Sequence, residues 1–177
     1  EALPAQVIVA LAAVTPEESE SAGDEQGIGT AESALESGLG GLVNTRSTWK
    51  ARATKCSGSD SSKSRMAIHH TYTPASSSSG YGARLRSIQA YHMDTQGWCD
   101  IGYHFLITED GQVWEGRPLG FRGAHVANNN TGNIGVSWVG CFHPGNCASI
   151  SPNNEPSKAA IGAGASQVFL IEEPMAA

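Results

Sequence analysis

Apolar residues in the second half of the chain come in short runs separated by turn residues, which is typical of buried strands. Runs of this kind predict strands over 66–71, 103–108 and 133–139. The second of these is followed by an acidic, glycine-containing turn at 109–111 and a return run over 112–115, which together predict a hairpin.

Helical spacing follows the first predicted strand. Leu85, Ile88 and His92 recur at i, i+3 and i+7, which predicts an amphipathic helix over 81–95. A second helix is predicted over 156–170, although two internal glycines lower its helical propensity. Strands that alternate with helices indicate a layered α/β or α+β domain.

Charge divides the chain into two parts. Residues 1–44 contain eight acidic residues and no lysine or arginine, whereas residues 45–177 are nearly neutral, so the net charge of −6 belongs to the first part. The first part mixes acids with small residues, which predicts a disordered linker or the remnant of an upstream segment. Its apolar run over 7–14 fits the end of a signal segment or of a preceding domain.

Two classes of function are excluded by these patterns. The chain has no basic stripe of the kind that nucleic-acid binding requires. It also has no run of about 18 apolar residues, so no membrane-spanning helix is expected.

The four cysteines suggest disulfides in a small domain. Cys141 and Cys147 flank a Pro-Gly turn, which favours a local disulfide and leaves Cys56 to pair with Cys99. Free, buried cysteines are the alternative, and a zinc knuckle is disfavoured because the chain has no C-x2-C pair.

The histidines alone do not define a site. The six are His69, His70, His92, His104, His125 and His143. The adjacent pair His69 and His70 lies at the end of a predicted strand, and neutral imidazole is a common zinc ligand. The spacing gives no complete ligand set, so a metal hydrolase is one interpretation among several.

A series of ordered motifs makes the interpretation more specific. These are Ser47–Arg52, Ile68–Thr71, Gly97–Phe105, Trp114–Arg117, Gly123–His125 and Asn133–Val136. Over residues 45–160 the chain resembles the peptidoglycan recognition protein family, which belongs with the zinc-dependent N-acetylmuramoyl-L-alanine amidases of type 2. The proline and cysteine loop after Gly140 is more similar to bacterial members than to animal ones.

The resemblance implies a mixed central β-sheet flanked by helices, with a cleft above the sheet. It implies Zn²⁺ as the cofactor and the muramyl peptide of bacterial peptidoglycan, of the diaminopimelate type, as the partner. The reaction would cut the amide between the lactyl group of N-acetylmuramic acid and L-alanine. A secreted, periplasmic or cell-envelope monomer is expected.

The resemblance also assigns roles to individual residues. It makes His69 a zinc ligand and Tyr103 the active-site tyrosine. Residues at positions that contact the muramyl peptide are His70, Thr71, His92, Gly97, Trp98, Arg117 and His125. It also agrees with pairing of Cys56 with Cys99.

The residue types suit this chemistry. Zinc polarises an amide carbonyl and supplies hydroxide at neutral pH. A hydroxyl group such as that of Tyr103 stabilises a developing oxyanion. Arg117 would hold the extra carboxylate of diaminopimelate, and Trp98 would provide an aromatic wall.

Structural interpretations of the same residues remain open. Tyr103 can pack on the core, Trp98 can cap it, and Arg117 can be a solvated turn residue. Strand alternation predicts that His104 faces away from Tyr103. The same alternation means that His69 and His70 reach one cleft only if the strand ends or twists there.

The sequence departs from the family pattern near its end. The family completes its zinc site from a segment after the last long helix, but no histidine follows His143 and no cysteine follows Cys147. The leading expectation is therefore an amidase domain over 45–177 that is incomplete at its C-terminus. The alternatives are a non-catalytic peptidoglycan-binding module and, more remotely, an unrelated secreted domain stabilised by disulfides.

Overall fold

The computed structural model describes residues 9–10, 42–75, 78–143, 147, 149–150 and 155–167. Within these residues one mixed sheet has six strands: β1 (Val9–Ala10), β2 (Val43–Asn44), β3 (Arg65–His70), β4 (Phe105–Ile107), β5 (Val113–Glu115) and β6 (Asn133–Trp138). Their order is β1-β3-β6-β4-β5-β2. β6 is central and parallel to both β3 and β4, whereas β4 and β5 form the predicted antiparallel hairpin.

The four predicted strands are confirmed: β3 is shifted by one residue from its predicted position, and β4, β5 and β6 are shorter than predicted. Every residue of β4 and β5, and all of β6 except its last residue, is buried. Burial on both faces explains why these segments show no alternation of apolar and polar residues. β2 pairs parallel to β5, so the sheet includes two residues of the stretch predicted to be a linker. β1, from the apolar run over 7–14, pairs antiparallel to β3. The rest of 1–41 lies outside the described residues.

Helices cover both faces of the sheet. α1 (Tyr81–Ala90) continues into a π-helical turn (Tyr91–Thr95), and α2 spans Lys158–Gln167. The side chains of β4 point alternately to the two faces: Leu106 packs in one cluster with Leu85 of α1, and Phe105 packs in another with Ala160 of α2. The prediction of a mixed sheet flanked by helices is confirmed. The predicted second helix begins two residues later than expected, at Lys158, and its last three predicted positions, 168–170, lie outside the described residues.

A buried carboxylate joins three parts of the chain. Asp100 is fully buried, and its Oδ2 lies 3.0 Å from Nη2 of Arg46. Its Oδ1 accepts hydrogen bonds from Nε2 of Gln89 at 2.7 Å and from the backbone N–H of Ile101 at 2.7 Å. Asp100 thus ties α1 and the segment before β3 to the segment that leads into β4.

Both cysteine pairs are confirmed. Cys56 is bonded to Cys99, and Cys141 is bonded to Cys147. No free cysteine remains, so the free-thiol and zinc-knuckle alternatives are wrong for this chain.

We expect the two disulfides to contribute unequally to stability. They close loops with sequence separations of 43 and 6 residues. Loop-closure entropy then predicts a loss of about 4 kcal/mol in the free energy of unfolding when Cys56 and Cys99 are both replaced by alanine. The corresponding loss for Cys141 and Cys147 is about 2 kcal/mol. Urea unfolding of the two double variants measures both values, and an equal or reversed order would contradict the entropic account.

Candidate functional site

Five aromatic rings form a continuous row on one side of the sheet. Starting from His125, the ring of His69 lies 5.1 Å away, and the ring of Tyr103 lies 5.7 Å from that of His69. His92 lies 5.8 Å from Tyr103, and Trp98 stacks on His92 at 4.6 Å. The row joins residues from β3, from the π-helical turn and from the loops before β4 and before β6, which makes it the candidate site.

His69 and His125 meet through their ring nitrogens. Nε2 of His69 lies 3.1 Å from Nδ1 of His125. Nε2 of His125 lies 3.2 Å from the carbonyl oxygen of Asn133, which only accepts, so this nitrogen carries the proton. Nδ1 of a neutral His125 is therefore the acceptor, and Nε2–H of His69 donates to it. Burial lowers the pKa of His69 and lowers that of His125 to about 4, so both rings are neutral at pH 7.

Two glycines make the space for the His125 ring. A Cβ atom at Gly123 or at Gly135 would lie 2.5 Å from Cδ2 of this ring. His104 supports the same place from the core, because its Nδ1 accepts the N–H of Gly135 and its Nε2 donates to the carbonyl of Phe121. His104 is fully buried and so does not reach the cleft, as expected.

Tyr103 lies in the middle of the row, immediately before β4. Its ring also packs against the buried cluster that includes Leu85 and Leu106, so the core-packing interpretation and the site interpretation hold together. Burial raises the pKa of the Tyr103 hydroxyl, which keeps it protonated at neutral pH. The hydroxyl therefore carries a proton that it can donate, and the Ser137 side chain of β6 lies within hydrogen-bonding reach of it.

The π-helical turn places His92 against Trp98. Gly97 has φ 70°, which lets the chain reverse so that the N–H of Trp98 donates to the carbonyl of His92 at 2.9 Å. Nδ1 of His92 accepts the N–H of Gly102 at 3.1 Å, which fixes the ring. Burial, with the nearby charge of Arg117, lowers the pKa of His92 to about 4. Trp98 is half-buried and stacks on His92 rather than joining either core cluster.

Arg117 is buried, so its interpretation as a solvated turn residue is wrong. Its guanidinium donates to the carbonyl oxygens of Ile101, Asp100 and Arg122. Burial lowers its pKa to about 10, and it remains a cation at neutral pH. With Trp98 it lines a cavity of about 450 Å³ next to the row. Other lining residues are Cys56, Cys99, Phe121, Arg122, Gly123, Ala124, Asn128 and Asn130.

His70 and Thr71 lie away from the row. Nδ1 of His70 accepts the N–H of Phe142 at 2.7 Å. The hydroxyl of Thr71 accepts the N–H of Gly140 at 3.0 Å. Adjacent residues of β3 thus divide between the two sides of the strand, and only His69 faces the row. A substrate-contact role for His70 and Thr71 remains a prediction that this geometry does not favour.

Comparison with known proteins agrees with the motifs. Residues 60–169 match the family model described as N-acetylmuramoyl-L-alanine amidase. The chain belongs to this family. It is 43% identical to peptidoglycan-recognition protein SC2 of Drosophila simulans, over 59% of this chain and 58% of that protein. It is 47% identical to N-acetylmuramoyl-L-alanine amidase of Homo sapiens, over 42% of this chain and 14% of that protein.

The fold agrees with solved structures of peptidoglycan recognition proteins. One is peptidoglycan recognition protein LE in complex with tracheal cytotoxin, a monomeric diaminopimelic acid-type peptidoglycan. Its TM-score is 0.58 at 26% identity, and the match covers 71% of each chain. The matched part spans less than two thirds of the curated relatives named above. Within the described residues, no helix of this amidase-family chain is both long and apolar enough to cross a membrane.

The described residues fit zinc as an imidazole pair rather than as a complete three-ligand site. His69 and His125 bring two ring nitrogens together, as zinc requires. Among the residues that the structure describes, the one group of three candidate ligands is His70, Cys141 and Cys147. The sulfur atoms of that group are bonded to each other and are not thiolates.

The row contains one feature that sequence reasoning missed. The glycine slot around His125 is formed by residues of two motifs, Gly123–His125 and Asn133–Val136, that were matched only as separate strings. Glycines in both motifs were the available signal, because a glycine permits another group to approach the backbone closely.

Gly135→Ala tests the slot. The added Cβ would lie 2.5 Å from Cδ2 and 2.6 Å from Cγ of the His125 ring, so we expect a loss of about 1–3 kcal/mol in the free energy of unfolding. Gly120→Ala is the matched control, because nothing lies within 4 Å of its added Cβ, and it should change stability by less than about 0.5 kcal/mol. Urea unfolding measures both, and equal effects would show that the slot is not tight.

Acid should destabilise the fold before the carboxylates titrate. Burial holds the pKa of His92 at about 4 and that of His104 at about 3, whereas both protonate near 6.5 when unfolded. The stabilising effect of the neutral rings is complete above pH 6.5 and is lost as the pH falls toward 4. Each histidine contributes a slope of up to about 1.4 kcal/mol per pH unit. Urea unfolding at pH 7, 6 and 5 measures the slope, His92→Asn should reduce it, and a flat profile would contradict these shifts.

Proposed function

We propose that this chain binds the muramyl peptide of diaminopimelate-type peptidoglycan along the aromatic row. We propose further that the zinc-loaded protein hydrolyses the amide between N-acetylmuramic acid and L-alanine. The observation behind the proposal is the row itself, which runs from the His69–His125 pair to Trp98 beside the buried cation Arg117. Family membership of the matched residues supports it.

The two ends of the row suit the two ends of this ligand. Aromatic faces such as those of Trp98 and Tyr103 bind the apolar faces of sugars and peptide side chains. Arg117 donates three N–H groups to backbone carbonyls, and among the described residues no ion pair joins it to a carboxylate. A buried cation that borders a cavity favours an anionic ligand, and the extra carboxylate of diaminopimelate supplies one.

A related structure supports the choice of stem peptide. Peptidoglycan recognition protein LE was solved with a monomeric diaminopimelic acid-type peptidoglycan, and its fold matches this chain. The two disulfides fit an oxidising compartment, which supports a secreted or cell-envelope protein.

For hydrolysis, zinc when bound supplies a polarised carbonyl and an activated water. Its holders would be His69 and His125, with further donors. The Tyr103 hydroxyl, protonated at neutral pH, donates to the oxygen on which negative charge develops. The neutral rings of His69 and His92 lie on either side of Tyr103 and add no positive charge next to its hydroxyl.

Binding without cleavage is the second candidate function. It is favoured by the number of candidate metal ligands. Among the described residues, His69 has one imidazole partner, His125, and belongs to no group of three candidate ligands. In this case the row and the cavity recognise peptidoglycan, and the chain releases no L-alanyl peptide.

Calorimetric titration with a synthetic muramyl tripeptide in the presence of EDTA tests recognition. Trp98→Ala should weaken binding by about 1–3 kcal/mol because it removes the stacked wall. Ile161→Ala, an exposed apolar residue on α2, is the control and should not change the affinity. Arg117→Lys should lower the ratio of affinities for diaminopimelate and lysine stems, a ratio that general destabilisation does not alter. No binding by the unmodified chain would refute the proposed recognition.

The same peptide with added zinc separates the two candidate functions. Tyr103→Phe should slow release of the stem peptide by about 10²–10³ while leaving the affinity nearly unchanged. Binding with no release of stem peptide from the unmodified chain would instead establish the non-catalytic function.

A further inference from the structure

Most of the residues that line the cavity next to the aromatic row belong to one loop. This cavity loop, residues 121–131, lies between β5 and β6. It also carries His125, the last ring of the row, and Gly123, which makes room for that ring. The shape of the cavity loop therefore sets both the wall of the cavity and one end of the row.

The start of the cavity loop is held by Lys63, from the segment before β3. Nζ of Lys63 donates to the carbonyl oxygen of Phe121 at 3.1 Å. The same carbonyl accepts Nε2–H of His104 at 3.0 Å. One residue earlier, the carbonyl of Gly120 accepts the backbone N–H of Asp60 at 2.7 Å. The first turn of the loop is thus fixed by a cation, a core histidine and a backbone hydrogen bond.

The end of the cavity loop is held by Asp60, from the same segment. Its Oδ1 and Oδ2 both accept the N–H of Gly132, at 3.0 and 3.2 Å. The carbonyl of Gly132 accepts the N–H groups of Ser64 and Arg65. The short segment before β3 therefore binds both ends of the loop.

An ion pair joins these two attachments. Nζ of Lys63 lies 2.8 Å from Oδ2 of Asp60, and each side chain is 9% exposed. Removal of one partner from a pair that is nearly buried leaves an uncompensated charge, which is much more costly than the loss of a surface pair. Because Asp60 holds the end of the loop and Lys63 holds its start, the pair closes the loop through side chains.

We propose that Asp60 and Lys63 are positioning residues for ligand recognition, and that their ion pair holds the cavity loop in the shape that binds the stem peptide. Neither residue lines the cavity, so the pair acts through the loop. The carbonyl of Arg122 in this loop accepts Nη1–H of Arg117, so the shape of the loop also sets where the two arginines lie. A loop that is ordered before binding gives higher affinity, because no ordering cost is left for the ligand to offset.

This role rests on the proposed function but lies outside the motifs that carry the family resemblance. Those motifs skip residues 53–67, where Asp60 and Lys63 lie. The role also adds a determinant of stem selectivity that contacts no part of the ligand.

Calorimetric titration with muramyl tripeptides of the diaminopimelate and lysine types, in the presence of EDTA, tests the proposal. Lys63→Met should weaken binding of the diaminopimelate tripeptide by about 10-fold. It should also lower the ratio of the two affinities, because Arg117 and Arg122 no longer meet the extra carboxylate. Lys63→Arg keeps the charge and the donors and should restore both values. Arg52→Met is the matched control and should change neither value, because it breaks an exposed ion pair with Asp94 of the π-helical turn.

A second variant keeps the test valid if Lys63→Met does not fold. Asp60→Asn retains an acceptor for the N–H of Gly132 and removes only the charge, and the same fall in the affinity ratio is expected. Amide hydrogen exchange reports the loop without any ligand. In the unmodified chain the N–H groups of Gly132 and Val126, which donate to Asp60 and Asn130, should be protected. In the folded variants both should exchange at least about 10-fold faster.

The outcomes separate this proposal from the proposed function. No binding by the unmodified chain would refute recognition of the stem peptide, and this role with it. Binding with an affinity ratio that Lys63→Met and Asp60→Asn leave unchanged would overturn the positioning role alone. The same conclusion follows if Gly132 and Val126 exchange as freely as exposed amides in the unmodified chain, or if Lys63→Arg does not restore the ratio.

Discussion

The buried carboxylate of Asp100 is the interaction on which the arrangement of the site depends. A charge with no exposure needs partners, and Asp100 obtains them from Arg46 and Gln89, which come from different parts of the chain. Its position fixes the segment that follows. The carbonyls of Asp100 and Ile101 accept from Arg117, the N–H of Gly102 donates to His92, and Tyr103 comes next.

The parallel pairing of β3 with β6 sets the other half of the site. His69 is in register with Ser137 of β6. Its side chain therefore lies next to β6, the strand that also contains Asn133 and Gly135. The carbonyl of Asn133 accepts a hydrogen bond from the His125 ring. Gly135 has no side chain and so leaves room for the same ring. A shift of one residue would point His70 into the row instead of His69 and would remove the slot.

Much of the fold can be predicted from the sequence, for physical reasons. Buried strands and an amphipathic helix have strong periodic signals, so the main elements and the layered class could be predicted. Both disulfides were predicted from a different signal, the positions of the four cysteines. Short two-residue strands have no such signal, and β2 therefore went unrecognised in a stretch of linker-like composition. Strand alternation left open whether His69 and His70 reach the same cleft. The structure shows that they do not: His69 contacts His125, whereas His70 accepts the N–H of Phe142. The burial of Arg117 could not be predicted from local pattern, because two of its acceptors are the carbonyls of Ile101 and Asp100, 16 and 17 residues away.

Electrostatics explain why recognition and catalysis need not go together in such a site. The histidines of the row have lowered pKa values and are neutral at pH 7, so the permanent positive charge beside the cavity belongs to Arg117 and Arg122. In the proposed function, attraction of an anionic stem peptide therefore depends on arginines that are not among the proposed zinc holders. The imidazole pair, in contrast, is uncharged, and the electrophile at that end of the row would be a cation that the pair binds. Because different groups would supply the two proposed functions, loss of metal binding need not remove peptidoglycan recognition.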